Sequence, residues 1–268
     1  MRFSRRGLLR GALLFGGGAA AGAAATRLPS LLGPDRLPLS GGYAPAADVP
    51  GAVRHPGTEV TYYVQTDEPV VAFTFDDGPG VNWTTMVLDT LDDFAVPATF
   101  FVVGRNLSAH ADVVRGRLDR HAVGNHSWSH PDLAELNLDQ VRAQVTRTQE
   151  IIKRVTGREP NLLRPPYGHI GGSTLLAADD LGYDVVLWSH QMHEARYKPN
   201  PEAQVRDIVD NVVPGSIVLA HDVGNPDRLV ALRHLGEMFG GLKKRGFRFV
   251  TVPELMSMGR AAVVPPGV

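Results

Sequence analysis

The chain has 268 residues, a length that suits one α/β barrel or two smaller domains, and it contains no cysteine. The missing cysteine excludes disulfide frameworks, cysteine-ligated zinc and thiolate catalysis. The 27 basic and 28 acidic side chains nearly balance, which argues against a nucleic-acid-binding protein, because such proteins normally carry a basic excess on one face.

The first 25 residues have the pattern of an export signal. The chain begins with an arginine-rich segment in which Ser4-Arg5-Arg6 precedes Leu8-Leu9, and a Gly/Ala/Leu stretch then runs to Ala25. Twin-arginine signal peptides have this pattern. The apolar stretch, at about 15 residues, is shorter than the roughly 20 that span a membrane. We therefore predict a signal peptide at residues 1–25 and a mature chain without a membrane span, secreted or associated with the cell envelope. An uncleaved leader that serves as an anchor is the alternative.

The remaining residues divide into three parts by composition. Residues 26–68 are rich in Pro, Gly and Ala, which predicts a linker or an irregular N-terminal arm. Residues 69–257 alternate short apolar runs with amphipathic stretches, which predicts one α/β domain, and residues 258–268 are predicted to form a C-terminal tail.

The alternation within this domain predicts the fold class. Strands are expected at Val70–Phe75, Ala98–Val103, Asp184–Trp188, Ser216–Ala220 and Phe247–Val252, with weaker candidates at Ala122-Val123 and Leu162-Leu163. Helices are expected at Thr84–Phe94, Leu138–Val155, Pro201–Val212 and Arg228–Lys244. Strands that alternate with helices predict a parallel sheet with helical crossovers. The strand count favours a closed or nearly closed barrel.

Polar residues come immediately after two of the predicted strands. Asp76-Asp77-Gly78-Pro79 comes after the first strand, and His221-Asp222 follows the strand that ends at Ala220. In parallel α/β folds the catalytic residues gather at the carboxyl ends of the strands. We therefore expect chemistry at this end of the sheet.

His126 and His130 are a candidate metal-binding pair. Two imidazoles four residues apart on a helical turn lie on one face, close enough to bind one ion, although a capped turn with solvated histidines has the same spacing. One carboxylate from Asp76 or Asp77 would complete a facial triad with open coordination positions. In isolation, the segment Asp76-Asp77-Gly78-Pro79 is better explained as a turn signal.

The remaining groups suit hydrolysis of an amide or ester. Metal ions lower the pKa of bound water from 15.7 to about 7, and the second carboxylate could then act as general base. Imidazole has an unperturbed pKa of about 6.5, which suits a general acid, so His221 is the candidate proton donor to the leaving group. Arg164, within Arg164-Pro165-Pro166-Tyr167-Gly168, could hold the base ionised, unless this segment is an ordinary Pro-rich loop.

Together the motifs resemble those of the polysaccharide deacetylase family, also described as the NodB-homology or carbohydrate esterase family 4 enzymes, across roughly residues 69 to 255. The matching segments are Thr74-Phe75-Asp76-Asp77-Gly78-Pro79, His126-Ser127-Trp128-Ser129-His130, Arg164-Pro165-Pro166-Tyr167-Gly168 and Ile217-Val218-Leu219-Ala220-His221-Asp222. The resemblance implies a distorted (β/α) barrel of seven or eight mostly parallel strands, in a single catalytic domain that removes acetyl groups from a polysaccharide.

The resemblance also implies a role for each matching residue. Asp77, His126 and His130 would bind a divalent metal, commonly zinc, with cobalt or another divalent ion as alternatives. Asp76 would be the general base and His221 the general acid.

Three further residues would support them. Arg164 would tether the base, the backbone N–H of Tyr167 would help to stabilise the oxyanion, and Leu219 would line the pocket for the acetyl methyl group.

One segment departs from the family pattern. Family members usually have an Asp-x-x-Asp-Trp-like segment after the strand near Trp188, in which an acid pairs with the catalytic histidine. Here the stretch reads Trp188-Ser189-His190-Gln191-Met192-His193-Glu194-Ala195, so that Glu194 is the candidate partner of His221 and no Trp follows it. We expect activity to survive and the substrate groove to differ.

The expected function is metal-dependent hydrolysis of N-acetyl groups in glycans that contain N-acetylglucosamine, such as peptidoglycan or chitin oligomers. An O-acetyl esterase acting on xylan passes through the same oxyanion and is the alternative enzyme. A catalytically impaired glycan-binding protein is the alternative of another class, suggested by the altered segment. A glycosidase is disfavoured, because adjacent aspartates do not flank a bond at the separation that glycosidases use. The expected partner is an acetylated polysaccharide, with neither nucleic acid nor a protein partner implied.

Overall fold

The computed structural model describes residues 57–263, all within one compact unit, and the side chains of residues 57–259. The predicted signal peptide and most of the predicted linker lie outside these residues. No helix among the described residues combines the length and the apolar character that crossing a bilayer demands.

A single parallel sheet forms the centre of the described chain. Its strands are β1 (Val60–Thr61), β2 (Val70–Asp76), β3 (Thr99–Val102), β4 (Ala122–Asn125), β5 (Leu162–Leu163), β6 (Asp184–Val186), β7 (His190–Gln191), β8 (Ser216–His221) and β9 (Arg248–Phe249). Their spatial order is β1-β6-β5-β4-β3-β2-β8-β7, and β9 pairs with the first residues of β2. The outer strands β1 and β7 do not pair with each other in the described residues, so the sheet curls into an open barrel. The predicted distorted (β/α) barrel is confirmed.

Ten helices connect the strands in the described residues. They are α1 (Trp83–Asp93), α2 (Gly104–Ala109), α3 (Ala111–Val114), α4 (Leu138–Thr156), α5 (Gly172–Leu181), α6 (Glu194–Tyr197), α7 (Pro201–Asn211), α8 (Leu229–Arg233), α9 (Leu235–Lys244) and α10 (Val252–Val263). Short 3-10 turns cover Leu133–Glu135, Pro166–Gly168 and Pro226–Arg228. The single helix expected at residues 228–244 is divided, because the backbone of His234 leaves helical geometry between α8 and α9.

Strand β2 lies in the middle of the sheet and carries the first acidic motif. All seven of its residues are buried, since neighbouring strands pair on both edges and helices cover both faces. Phe73, for example, packs edge-on against Phe239 of α9 with ring centroids 5.0 Å apart. The rigid packing of β2 fixes the position at which Asp76 leaves the sheet.

The sheet extends beyond the limits expected from composition. β1 pairs with β6, with Val60 opposite Val185, so part of the predicted linker contributes a strand ahead of residue 69. At the other end α10 continues to Val263, beyond residue 257. A two-residue strand has no hydrophobic period, which is why the composition of residues 26–68 did not indicate β1.

Candidate active site

Two neighbouring strands deliver the first chemical groups to one edge of the sheet. β2 ends at Asp76 and β8 ends at His221, and these two residues pair directly in the parallel register. β4 ends at Asn125, immediately before His126. The carboxyl ends of three strands therefore bring an acid and two imidazoles to the same edge, as expected for this architecture.

An unusual backbone conformation turns Asp77 toward the same pocket as Asp76. Asp77 has a φ of 77°, in the left-handed region that Asp and Asn enter more readily than most residues, and Asn106 Nδ2 donates a hydrogen bond of 2.7 Å to its carbonyl. Gly78 follows because a Cβ at this position would lie 2.3 Å from Asp222 Oδ2. Adjacent aspartates thereby act at one site instead of pointing to opposite faces.

His126 and His130 lie in a loop, not on the helical turn considered from the sequence. Ser127 and His130 both have positive φ values, and the Gln144 side chain holds the loop by accepting hydrogen bonds from the backbone N–H groups of Trp128 and Ser129. The two imidazole rings are 5.0 Å apart between centroids. The spacing of four residues correctly predicted that the two rings lie close together, but a loop brings them together and not a helical turn.

The Asp77, His126 and His130 side chains fit a divalent metal. Their candidate ligand atoms all lie within 4.8 Å of one another. Asp77 Oδ1 is buried without a hydrogen-bond partner, 3.4 Å from His126 Nε2 and 3.1 Å from His130 Nε2. His126 Nδ1 lies 2.6 Å from the carbonyl of Arg164, which can only accept, so this nitrogen carries the proton and Nε2 is free to bind an ion. Zinc in proteins is bound by imidazole nitrogens and carboxylate oxygens, so the unpaired Asp77 oxygen and the two Nε2 atoms form a suitable set of ligands.

Two carboxyl groups at this site have pKa values far from the ordinary range. Burial alone would raise the pKa of Asp77, but the neighbouring His126 and His130 imidazoles outweigh it and hold that pKa well below its usual range. Asp222, which lies beneath the Asp76-Asp77 turn, behaves in the opposite way. Complete burial raises the pKa of Asp222 to about 7, although Thr84 Oγ1 donates a 2.6 Å hydrogen bond to its Oδ2.

Arg164 is completely buried and is hydrogen-bonded through every nitrogen. Nη1 donates to Asp76 Oδ1 and to Thr74 Oγ1, both at 2.7 Å. Nε and Nη2 donate to the carbonyls of Val186 and Leu187 at 3.0 and 2.8 Å. The guanidinium therefore fixes one oxygen of Asp76 and leaves Oδ2 facing His126 Nε2, 3.7 Å away.

Glu194 is placed beside His221, as the sequence prediction requires. It is the first residue of α6, is 8% exposed, and its Oε1 lies 3.4 Å from His221 Nδ1. Burial alone would raise the pKa of Glu194, but the adjacent His221 outweighs it and lowers that pKa. This contact engages Nδ1 and does not involve the other ring nitrogen of His221, Nε2.

A small cavity joins these groups. It measures about 90 Å³ and is lined by Asp76, Asp77, His126, His130, Pro165, Tyr167, Gly168, Trp188, Leu219, His221 and Arg228. Tyr167 has a φ of 62°, is 58% exposed, and sets its ring edge-on to His130 at 4.8 Å. A second cavity of about 370 Å³ shares Asp77, His130 and Tyr167 with the first, so the site opens into a wider groove. The predicted residues Tyr167 and Leu219 thus both border the cavity.

Sequence reasoning missed three residues that complete the site. Arg228 Nη1 donates to Asp77 Oδ2 at 2.8 Å, Asn106 supports the Asp77 backbone, and Thr84 binds the buried Asp222. All three lie on or next to helices, where their spacing indicates only a solvent-facing or core position. Only the folded geometry identifies them.

Comparisons with known proteins identify the family of this chain. The family model for polysaccharide deacetylase matches residues 63–186. Two curated relatives are both named peptidoglycan-N-acetylglucosamine deacetylase, from Bacillus cereus. One is 36% identical and aligns over 74% of this chain and 92% of its own, and the other is 34% identical over 71% and 69%.

A solved structure gives the same result. The crystal structure of a peptidoglycan N-acetylglucosamine deacetylase in complex with a hydroxamate-type benzamide superposes with a TM-score of 0.69 at 32% identity, covering 73% of this chain and 92% of the other. The chain belongs to the polysaccharide deacetylase family. It is therefore a hydrolase, a carbohydrate deacetylase, and the resemblance noted in the sequence is confirmed.

Proposed function

We propose that this protein is an exported, metal-dependent enzyme that hydrolyses N-acetyl groups of N-acetylglucosamine-containing glycans, of the peptidoglycan or chitin type. The observation that carries the proposal is Asp77 Oδ1, a buried oxygen without a partner that faces two imidazole nitrogens next to an Arg-bound Asp76. The Bacillus cereus relatives, named as peptidoglycan deacetylases, support the choice of glycan.

Asp77, His126 and His130 would hold the metal, commonly zinc. Bound there, it would polarise the acetyl carbonyl and lower the pKa of water. Asp76 acts as the general base through Oδ2, because its Oδ1 is held by Arg164. The neighbouring guanidinium holds Asp76 in a fixed orientation through this hydrogen bond.

His221 acts as the general acid. Glu194 faces its Nδ1, so Nε2 is the atom that delivers a proton to the departing amine nitrogen. We assign the backbone N–H of Tyr167 to the oxyanion and Leu219 to the acetyl methyl group, since both residues line the cavity.

The cellular setting follows from the leader and the substrate. A twin-arginine signal at residues 1–25 would deliver the folded enzyme to the cell envelope or the medium, where such glycans lie. We propose residues 26–68 as an N-terminal linker or arm whose strand β1 joins the sheet, 69–257 as the main part of the catalytic domain, and 258–268 as a tail whose first residues continue α10. An acetylated glycan is the partner that this account requires.

Acetate release across a panel of glycans tests the proposal. Zinc-loaded protein should release acetate from N-acetylated chitin oligomers or peptidoglycan strands, and little from acetylated xylan. The reverse order would establish the O-acetyl esterase instead. Glycan binding without acetate release, at saturating metal, would establish the catalytically impaired binding protein.

A further inference from the structure

Arg228 distinguishes the two oxygens of the Asp77 carboxylate. Its Nη1 donates to Asp77 Oδ2 at 2.8 Å, while Oδ1 of the same carboxylate is left without a hydrogen bond and faces the two imidazoles. The same nitrogen also donates to the carbonyl of Val223 at 2.7 Å. One side chain therefore occupies one oxygen and leaves only the other for an ion.

The turn after β8 is built around this arginine. Gly224 has a φ of 104°, which favours glycine, and a Cβ there would lie 2.5 Å from Arg228 Nη1, so a larger residue would force the guanidinium to move. Asn225 caps the following 3-10 turn by accepting from the N–H of Asp227. Asp227 in turn pairs with Lys198 at 2.6 Å, next to α6. These contacts limit the positions that Arg228 can take.

The ion pair between Asp77 and Arg228 is more buried than an ordinary surface ion pair. Exposed pairs contribute roughly 0–1 kcal/mol because water and salt screen them. Here the Asp77 and Arg228 side chains are 16% and 25% exposed, and Arg228 lines the same cavity as Asp76 and His221. The guanidinium also donates to the uncharged carbonyl of Val223, and this hydrogen bond orients the side chain independently of the ion pair.

We propose that Arg228 is a positioning residue for the metal site: it holds Oδ2 of Asp77 so that the carboxylate presents Oδ1 alone to the ion. The inference rests on the proposed function, because it assumes that Asp77, His126 and His130 bind a divalent metal. Residues that orient metal ligands commonly change metal affinity by 10- to 100-fold when replaced. Arg228 is suited to this role because it keeps its charge at all relevant pH values and binds carboxylates in a fixed geometry.

Metal affinity, measured without substrate, tests the proposal. Zinc binding to the full chain is titrated by competition with a chromophoric chelator for wild type, Arg228→Met and Arg233→Met. Arg233 is exposed on α8, five residues further along the chain, and is the matched control. We expect Arg228→Met to bind zinc about 10- to 100-fold more weakly and Arg233→Met to match wild type. Unchanged zinc affinity in Arg228→Met would overturn the proposal.

The visible spectrum of bound Co²⁺ gives a second readout that a purely structural role would not change. Once Oδ2 is released, it can join the ion, and the absorption should weaken as the coordination number rises. A spectrum identical to wild type would contradict the proposed role. If Arg228→Met does not fold, Arg228→Gln, which keeps a donor but no charge, takes its place with the same expected loss.

The proposed function and the role of Arg228 can be refuted separately. Normal zinc binding by wild type without acetate release would refute the proposed function and leave the role of Arg228 standing. A wild-type chain that binds no divalent metal would refute both.

Discussion

Asp76→Asn should lower the rate of acetate release by about 10²- to 10⁴-fold, the usual contribution of a general base. The amide cannot take a proton from water, yet it keeps the size of the carboxylate and an oxygen that accepts from Arg164, 2.7 Å away in the wild type. Steady-state kinetics on an N-acetylated oligomer measure the loss, which should fall on kcat more than on KM.

The matching control is metal content. Asp76 is outside the proposed ligand set of Asp77, His126 and His130, so Asp76→Asn should retain zinc at wild-type stoichiometry. A variant that keeps both its metal and full activity would exclude Asp76 as the base. Inactivity explained by lost metal would instead move Asp76 into the ligand set.

Arg164→Met should lower the free energy of unfolding by about 3–5 kcal/mol, the usual cost of removing one partner from a buried ion pair. Arg164 is fully buried and donates to Asp76 and Thr74 as well as to two main-chain carbonyls, so the change leaves a buried carboxylate without its counter-charge. Urea denaturation of the metal-free protein measures the loss.

Two further variants test whether the uncompensated charge of the buried carboxylate causes this loss of stability. Arg142→Met, which removes a partly exposed arginine paired with Asp139 and Asp180, should change stability by no more than about 1 kcal/mol. Adding Asp76→Asn to Arg164→Met should recover part of the loss, because the uncompensated charge is gone. Arg164→Met with wild-type stability would contradict the role assigned to the buried pair.

The strands and the acidic motifs could be predicted because their signals are local. Val70–Phe75 is short, rich in β-branched and aromatic residues and bounded by Pro69 and Gly78, which indicates a buried strand, and the structure continues it by one residue to Asp76. The parallel register then brings Asp76 next to His221 without further information, since strands of this class end at a common edge. Local sequence pattern and the rule that parallel strands end at a common edge therefore indicated that Asp76 and His221 lie at the same edge of the sheet.

The contacts that could not be predicted join residues distant in sequence or depend on backbone conformation. Arg228 reaches Asp77 across 151 positions, and no periodicity links a helix-terminal arginine to a strand end. The loop at His126 to His130 depends on positive φ values and on Gln144 from α4, neither of which a four-residue spacing encodes. Propensity and period describe single elements, whereas these contacts arise only from tertiary packing.

Removal and return of the metal show whether the proposed ligands Asp77, His126 and His130 hold an ion that deacetylation requires. Acetate release from an N-acetylated glucosamine oligomer is measured on wild-type protein before chelation, after chelation, and after addition of one equivalent of zinc. We predict that chelation abolishes release and that zinc restores it. Undiminished release by protein shown by elemental analysis to be metal-free would contradict the account.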